Sequence, residues 1–227
     1  MKKLLKEVLS KNIDLINSNL TIQTFGNLSL RLNENEIAIK PSGADLESLE
    51  LEDISIVDMN GKHISGLTPS VDTPTHIFLY NNYAEINSIV HTHSQYATSW
   101  AQALYNIPNL GTTHSDYIMG EVYCTRALRE EEIQEEYEKN TGVVIKETLK
   151  KQSVEIYDLP GILVGQHGLF SWGKNMDEAF NNAEIIEYIA KLAYLTKNIN
   201  PKAVSVNSYL NIFHFQRKHG KNSYYGQ

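Results

Sequence analysis

One segment constrains this chain more than any other. Residues 88–94 read Ser-Ile-Val-His-Thr-His-Ser, an apolar run that stops on His91 and His93. Side chains two apart on a strand share a face, so a strand over 87–93 presents both imidazoles to one place. A second apolar run, Gly161 to Gly165, leads to His167 and Gly168. A fold that joins these segments needs buried strands whose ends converge. Cys124 is the one cysteine, so no disulfide forms within the chain, and any metal chemistry falls to histidine and carboxylate. The eight histidines are therefore the residues to sort.

The rest of the chain describes what surrounds those strands. With 227 residues, 41% of them hydrophobic, there is material for a sizeable core. No internal repeat or Pro/Gly/Ser-rich linker divides it, and a single domain over 1–227 is the expectation. Leu4, Leu5, Val8, Leu9, Ile13, Leu15, Ile16 and Leu20 recur at helical spacing and form an amphipathic opening helix. Lys6, Glu7, Lys11 and Asp14 interrupt what would otherwise imitate a secretory leader. No run approaches the ~18–20 apolar residues of a membrane span, so a soluble, cytoplasmic protein is expected. The net charge of -7 argues against nucleic acid and anionic membranes as partners.

Strands are predicted over 21–32, broken at Gly26-Asn27, over 36–40, and over 54–58 with a return at 63–65 across Asn60-Gly61. Pro74 opens a helix to about Tyr80, and Ser94 is placed to cap a helix reaching about Leu104. Residues 130–151 are helical, with a bend expected at Gly142. Asn175 to Glu178 has the form of a capping box for a helix ending near Lys197. Strands and helices alternate irregularly, which implies an α/β (α+β layered) fold and not a strict βαβ repeat.

His91, His93 and His167, each at the end of a buried strand, are the candidate ligands. Three neutral imidazoles with an open fourth position make a catalytic zinc arrangement. Asp72, at a loop-to-helix transition, can add a carboxylate to the same ion or support it from outside. His63 reads as an exposed turn residue and His76 as a helix residue that is not a ligand. His114 and His219 have weaker claims. A metallo-β-lactamase pattern fails because Gln95 stands where an aspartate is needed, and an amidohydrolase barrel needs about 250 residues or more. Three turn segments, Gly26-Asn27, Ser42-Gly43 and Ser70-Val71-Asp72, carry small residues suited to an anion. The last leads into a helix N-terminus whose N–H groups favour phosphate. Lys40 adds a point charge beside the second. Together with a metal these point to a small phosphorylated substrate.

The motifs that contain these residues carry a resemblance. Thr24 to Ser29, Ile39 to Gly43, Asp72 to His76, Val90 to Ser94, Gly111 to Tyr117, Gln166 to Gly168 and the closing Arg217 to Gln227 resemble the class II aldolase/adducin-head superfamily along essentially the whole chain. The closing segment and Thr112-Thr-His-Ser-Asp116-Tyr resemble its L-ribulose-5-phosphate 4-epimerase branch in particular. The resemblance implies a central antiparallel sheet flanked by helices. It implies one Zn2+ per subunit on His91, His93 and His167, with Asp72 in or beside the shell. Gly26, Asn27, Ser42, Gly43 and Ser70 would surround the phosphate of a sugar. Asp116 and Tyr225 would be the acid/base pair, with a tail from about 205 to 227 entering the site of a neighbouring subunit in a homotetramer. Glu138, His214 and Arg217 carry weaker claims near the site.

Two departures stand out. Val71 replaces a serine, keeping only its backbone N–H for phosphate, and Leu169 replaces a proline just after a ligand. The implied activity is inversion at C4 of L-ribulose 5-phosphate by breaking and re-forming the C3–C4 bond, in pentose or ascorbate breakdown. The competing expectations are an aldolase acting on a ketose 1-phosphate such as fuculose or rhamnulose phosphate, and a metal-free scaffold head like adducin. Asp72, where such aldolases tend to carry glutamate, favours the epimerase.

Overall fold

A computed structural model of the chain describes residues 1–45, 48–221, 223 and 224. At its heart lies β5 (Ser88–Thr92), every residue of which is buried. It belongs to a seven-stranded sheet with β1 (Asn27–Arg31), β2 (Glu36–Ile39), β3 (Ser55–Asp58), β4 (His63–Ser65), β6 (Gly161–Val164) and β7 (Gly168–Gly173). The strand order is β4-β3-β2-β1-β5-β7-β6, and every pairing is antiparallel. The helices are α1 (Lys2–Asn17), α2 (Thr73–Asn82), α3 (Gln95–Gln102), α4 (Thr112–Ser115), α5 (Glu130–Gln152), α6 (Met176–Ile199) and α7 (Ser208–His219). The expected antiparallel sheet flanked by helices is what forms.

Both faces of the central strands are covered, so β5, β6 and β7 are buried along their whole length without alternation. One face bears Ser29 and His91. There α2 lies across β1, with Ser29 Oγ 2.7 Å from His76 Nδ1 and 2.8 Å from Tyr80 Oη. On the other face α6 packs, and Ser171 Oγ donates to the Ala179 carbonyl at 2.9 Å. Lys11 of α1 pairs with Asp177 of α6 at 2.6 Å. The layered reading follows from these two covers.

Several local expectations are corrected. Residues 21–26 are irregular with a turn at 23–24, and the strand begins only at Asn27. Ser94 stands at the cap of α3 without a side-chain cap bond; Glu187 of α6 fills that role, its carboxylate accepting from the Tyr96 and Ala97 amides at 2.9 and 2.8 Å. The break in α5 falls at Glu136 (φ -138, ψ 67), whereas Gly142 stays helical. Gly142 is there for packing: a Cβ on it would meet Phe78 Cδ1 of α2 at 2.7 Å. The capping box at Asn175 holds in part, with the side chain accepting from Glu178 N at 2.9 Å while the Glu178 carboxylate takes the amide of Lys174 at 2.8 Å. Among the described residues no helix is long and apolar enough to cross a membrane.

Candidate active site

β5 carries His91, His93 follows the last residue of that strand on the same side, and the turn from β6 to β7 places His167 against them. Their ligand nitrogens all lie within 4.8 Å of one another, and the ring centroids are 4.7–5.1 Å apart. His91 Nδ1 is 2.9 Å from the Leu169 carbonyl. A carbonyl only accepts, so Nδ1 carries the proton and Nε2 turns its lone pair to the cluster. His93 Nε2 stands 3.1 Å from that atom. Phe170, the partner of His91 across the ladder, stacks on its ring at 4.1 Å. Burial pushes His93 down to about 4 and His167 down to about 3, and the neighbouring His91 adds to both shifts, so both rings are neutral at physiological pH. Convergent neutral imidazoles, one with its tautomer fixed by the backbone, suit a divalent transition ion.

Asp72 stands beside this cluster and not within the mutually close set. Its Oδ2 is 3.9 Å from His91 Nε2 and accepts from Asn27 Nδ2 at 2.7 Å. Burial opposes its ionisation. The surrounding histidines, when charged, and the Asn27 amide outweigh that and hold the carboxyl below its usual range. Asn27 also donates to Ser70 Oγ at 3.1 Å, so one amide ties Asp72 to Ser70.

Every residue expected to bind substrate, from Gly26 to Asp72, lines the same cavity of about 420 Å³ as the three histidines. Segments 40–42 and 68–70 run antiparallel, with Ser42 N donating to Thr68 O at 2.9 Å and Ser70 N to Lys40 O at 3.0 Å. The expectation of free N–H groups at the α2 terminus is corrected. Thr73 N is engaged by Ser70 O, and Thr75 N and His76 N by Asp72 O. The Ser42 and Ser70 side chains, Asn27 and Lys40 are polar groups on the wall of this cavity. Lys40 is buried, its Nζ donating to the Thr24 and Pro41 carbonyls at 3.0 and 3.3 Å, and burial lowers its pKa against the pull of Asp72. Gly26 has φ +82, and a Cβ there would press on Thr21 and on the His91 carbonyl at 3.0 Å. Only glycine lets that turn lie so close to the ligand strand. Val71 is 65% exposed at the cavity rim. Leu169 lies within β7, where what the site uses is its carbonyl.

Asp116 is placed elsewhere. It ends α4 and does not line this cavity. Its Oδ1 is 2.9 Å from His214 Nδ1, and Arg217 donates through Nε and Nη2 at 3.1 and 3.0 Å. Burial would raise its pKa, but Arg217 and His214 prevail and hold it below the usual carboxylate range. His219 Nε2 reaches the Asp116 carbonyl oxygen at 2.8 Å. Tyr225 lies outside the described residues. His63 is exposed, and His76 is fully buried with a pKa held at about 3 by burial; neither joins the ligands. Two cavity residues had little or no signal in the sequence: Glu138, and Tyr137, whose Oη is 3.4 Å from His167 Nδ1. Both sit in a run of acidic residues that reads as a solvated helix face.

Residues 6–194 match the model of the Class II Aldolase and Adducin N-terminal domain. The chain is 49% identical to "L-ribulose-5-phosphate 4-epimerase UlaF" of Salmonella paratyphi C (strain RKS4594), over 100% of both chains. It is 48% identical, again over 100% of both, to the protein of that name from Salmonella paratyphi B. Among solved structures it resembles an L-fuculose 1-phosphate aldolase with a TM-score of 0.79 and 25% identity, covering 95% of each chain. The histidine cluster, the sheet that builds it and this end-to-end similarity agree: the chain belongs to the class II aldolase and adducin N-terminal domain family, in its L-ribulose-5-phosphate 4-epimerase branch.

Proposed function

We propose that this protein is a zinc-dependent L-ribulose-5-phosphate 4-epimerase that converts L-ribulose 5-phosphate to D-xylulose 5-phosphate. The observation that carries this is the 49% identity over the full length of proteins bearing that name. The cavity that joins three histidines to Lys40, Ser42 and Ser70 supports it. His91, His93 and His167 would hold the ion, one per subunit, with Asp72 in or beside the shell. When bound, zinc supplies a Lewis acid for negative charge that develops on the sugar oxygens.

The C4–H bond is not α to the C2 carbonyl, so simple deprotonation does not invert C4. Breaking C3–C4 does: the C4 hydroxyl loses its proton, C4 becomes an aldehyde carbon, and the bond electrons stay with the three-carbon fragment. Lys40, Ser42, Ser70 and Asn27 retain the aldehyde fragment by its phosphate while its carbonyl turns over. The bond then re-forms on the other face, and a proton returns to the C4 oxygen. Two proton carriers are needed, one on each side, and Asp116 and Tyr225 fill those roles. Arg217 and His214 keep Asp116 ionised and able to accept. Asp116 travels with α7, away from its own cavity, which supports a homotetramer with sites between subunits, each completed by the neighbour's α7 and tail. Cytoplasmic pentose or ascorbate breakdown is the setting.

A coupled assay for D-xylulose 5-phosphate, run before and after chelation with zinc add-back, tests this. Activity is expected to vanish with chelation and return with the metal. The likeness to an L-fuculose 1-phosphate aldolase favours a second reading, cleavage with release of both fragments. Free aldehyde appearing as fast as substrate disappears would establish that reading instead.

A further inference from the structure

We propose that Tyr137 is a positioning residue that orients His167 for metal binding, a role that rests on the metal reading of the histidine cluster. The three candidate ligands are not equally supported. His91 is fixed by the Leu169 carbonyl and the face of Phe170. His167 sits on a turn just after Gln166, a non-glycine residue at φ +61. Its Nδ1 faces Tyr137 Oη at 3.4 Å, with the rings 5.9 Å apart at 35°. An imidazole that ligates through Nε2 carries its proton on Nδ1, so the phenol oxygen accepts from it.

The break in α5 aims this side chain. Glu136 leaves helical geometry one residue before Tyr137. Three side chains take over carbonyls on either side of the break. Asn140 Nδ2 donates to the Glu132 carbonyl at 2.9 Å, and Thr141 Oγ1 to the Tyr137 carbonyl at 3.0 Å. The Thr75 hydroxyl, from α2, donates to the Glu138 carbonyl. With its polar groups met in this way, the kink turns Tyr137 and Glu138 onto the cavity wall.

The test compares metal-free wild type with the near-isosteric Tyr137→Phe, each titrated with Zn2+ and with Co2+. The expected result is a metal affinity roughly 10- to 100-fold weaker in Tyr137→Phe. The visible absorption of the Co2+ form should shift, and the melting of the metal-free protein should stay unchanged. Wild type that binds metal beside a variant within about twofold of it, with the same Co2+ spectrum, would overturn the role of Tyr137 and leave the metal reading standing. Wild type that takes up neither ion would overturn the metal reading, and this role with it.

Discussion

Asp116 is held by His214 and Arg217, two side chains of one helix, and this makes its acidity adjustable by single substitutions. Burial alone pushes its carboxyl up, while Arg217 and His214 push it down. Removing the guanidinium leaves burial less opposed, so the pKa rises. In Arg217→Leu the acid limb of the kcat/KM profile is therefore expected to move to higher pH. The pH dependence of initial rates checks this, and an unmoved limb would take Arg217 out of the role. At this scale the sequence is legible where a period is involved. His91 and His93 stand out because a two-residue spacing on a strand has one geometric meaning. Tyr137 does not, because its place depends on a helix break that Asn140, Thr141 and Thr75 accommodate, and no short motif encodes that.

Helix α5 shows how an element can be recognised and its inner geometry misread. Glycine weakens helices, so Gly142 is the natural place to expect the bend. It is instead where α2 and α5 touch, with Phe78 filling the space a side chain would occupy. Gly142→Ala should thus destabilise the fold by about 1–3 kcal/mol even though alanine is the better helix former. Denaturant unfolding measures this; an unchanged midpoint would show that Phe78 moves aside without cost. Strand β7 escapes a pattern search for a different reason. Residues 168–173 are buried on both faces, and such strands lose the alternation that marks them. Helix α7 is likewise easy to miss, since none of its residues is buried within the chain and its hold on the end of α4 is polar, through His214, Arg217 and His219.

The apolar surface of α7 is exposed, with Tyr209 80% exposed beside Ile212 and Phe213, and the proposed assembly would cover it. In the proposed assembly the histidines of one chain work with Asp116 and Tyr225 of another. A mixture of His91→Ala and Asp116→Asn chains, each inactive alone, should then regain activity on co-expression, in about a quarter of the sites under random mixing. No recovery in hybrid oligomers would place all the chemistry within one chain. The family resemblance made the cavity residues legible, but not the separation of Asp116 from them, because that depends on how the chain ends lie in space. The sheet carries one more consequence. Asn27 and His91 are register partners on β1 and β5, so on the proposed assignment a phosphate contact and a metal ligand share a single rung. Adjacent strands keep a spacing of about 4.8 Å. The backbone thus acts as a calliper with its jaws locked, and a longer or shorter sugar must be met by new side chains at the rim, never by stretching the frame.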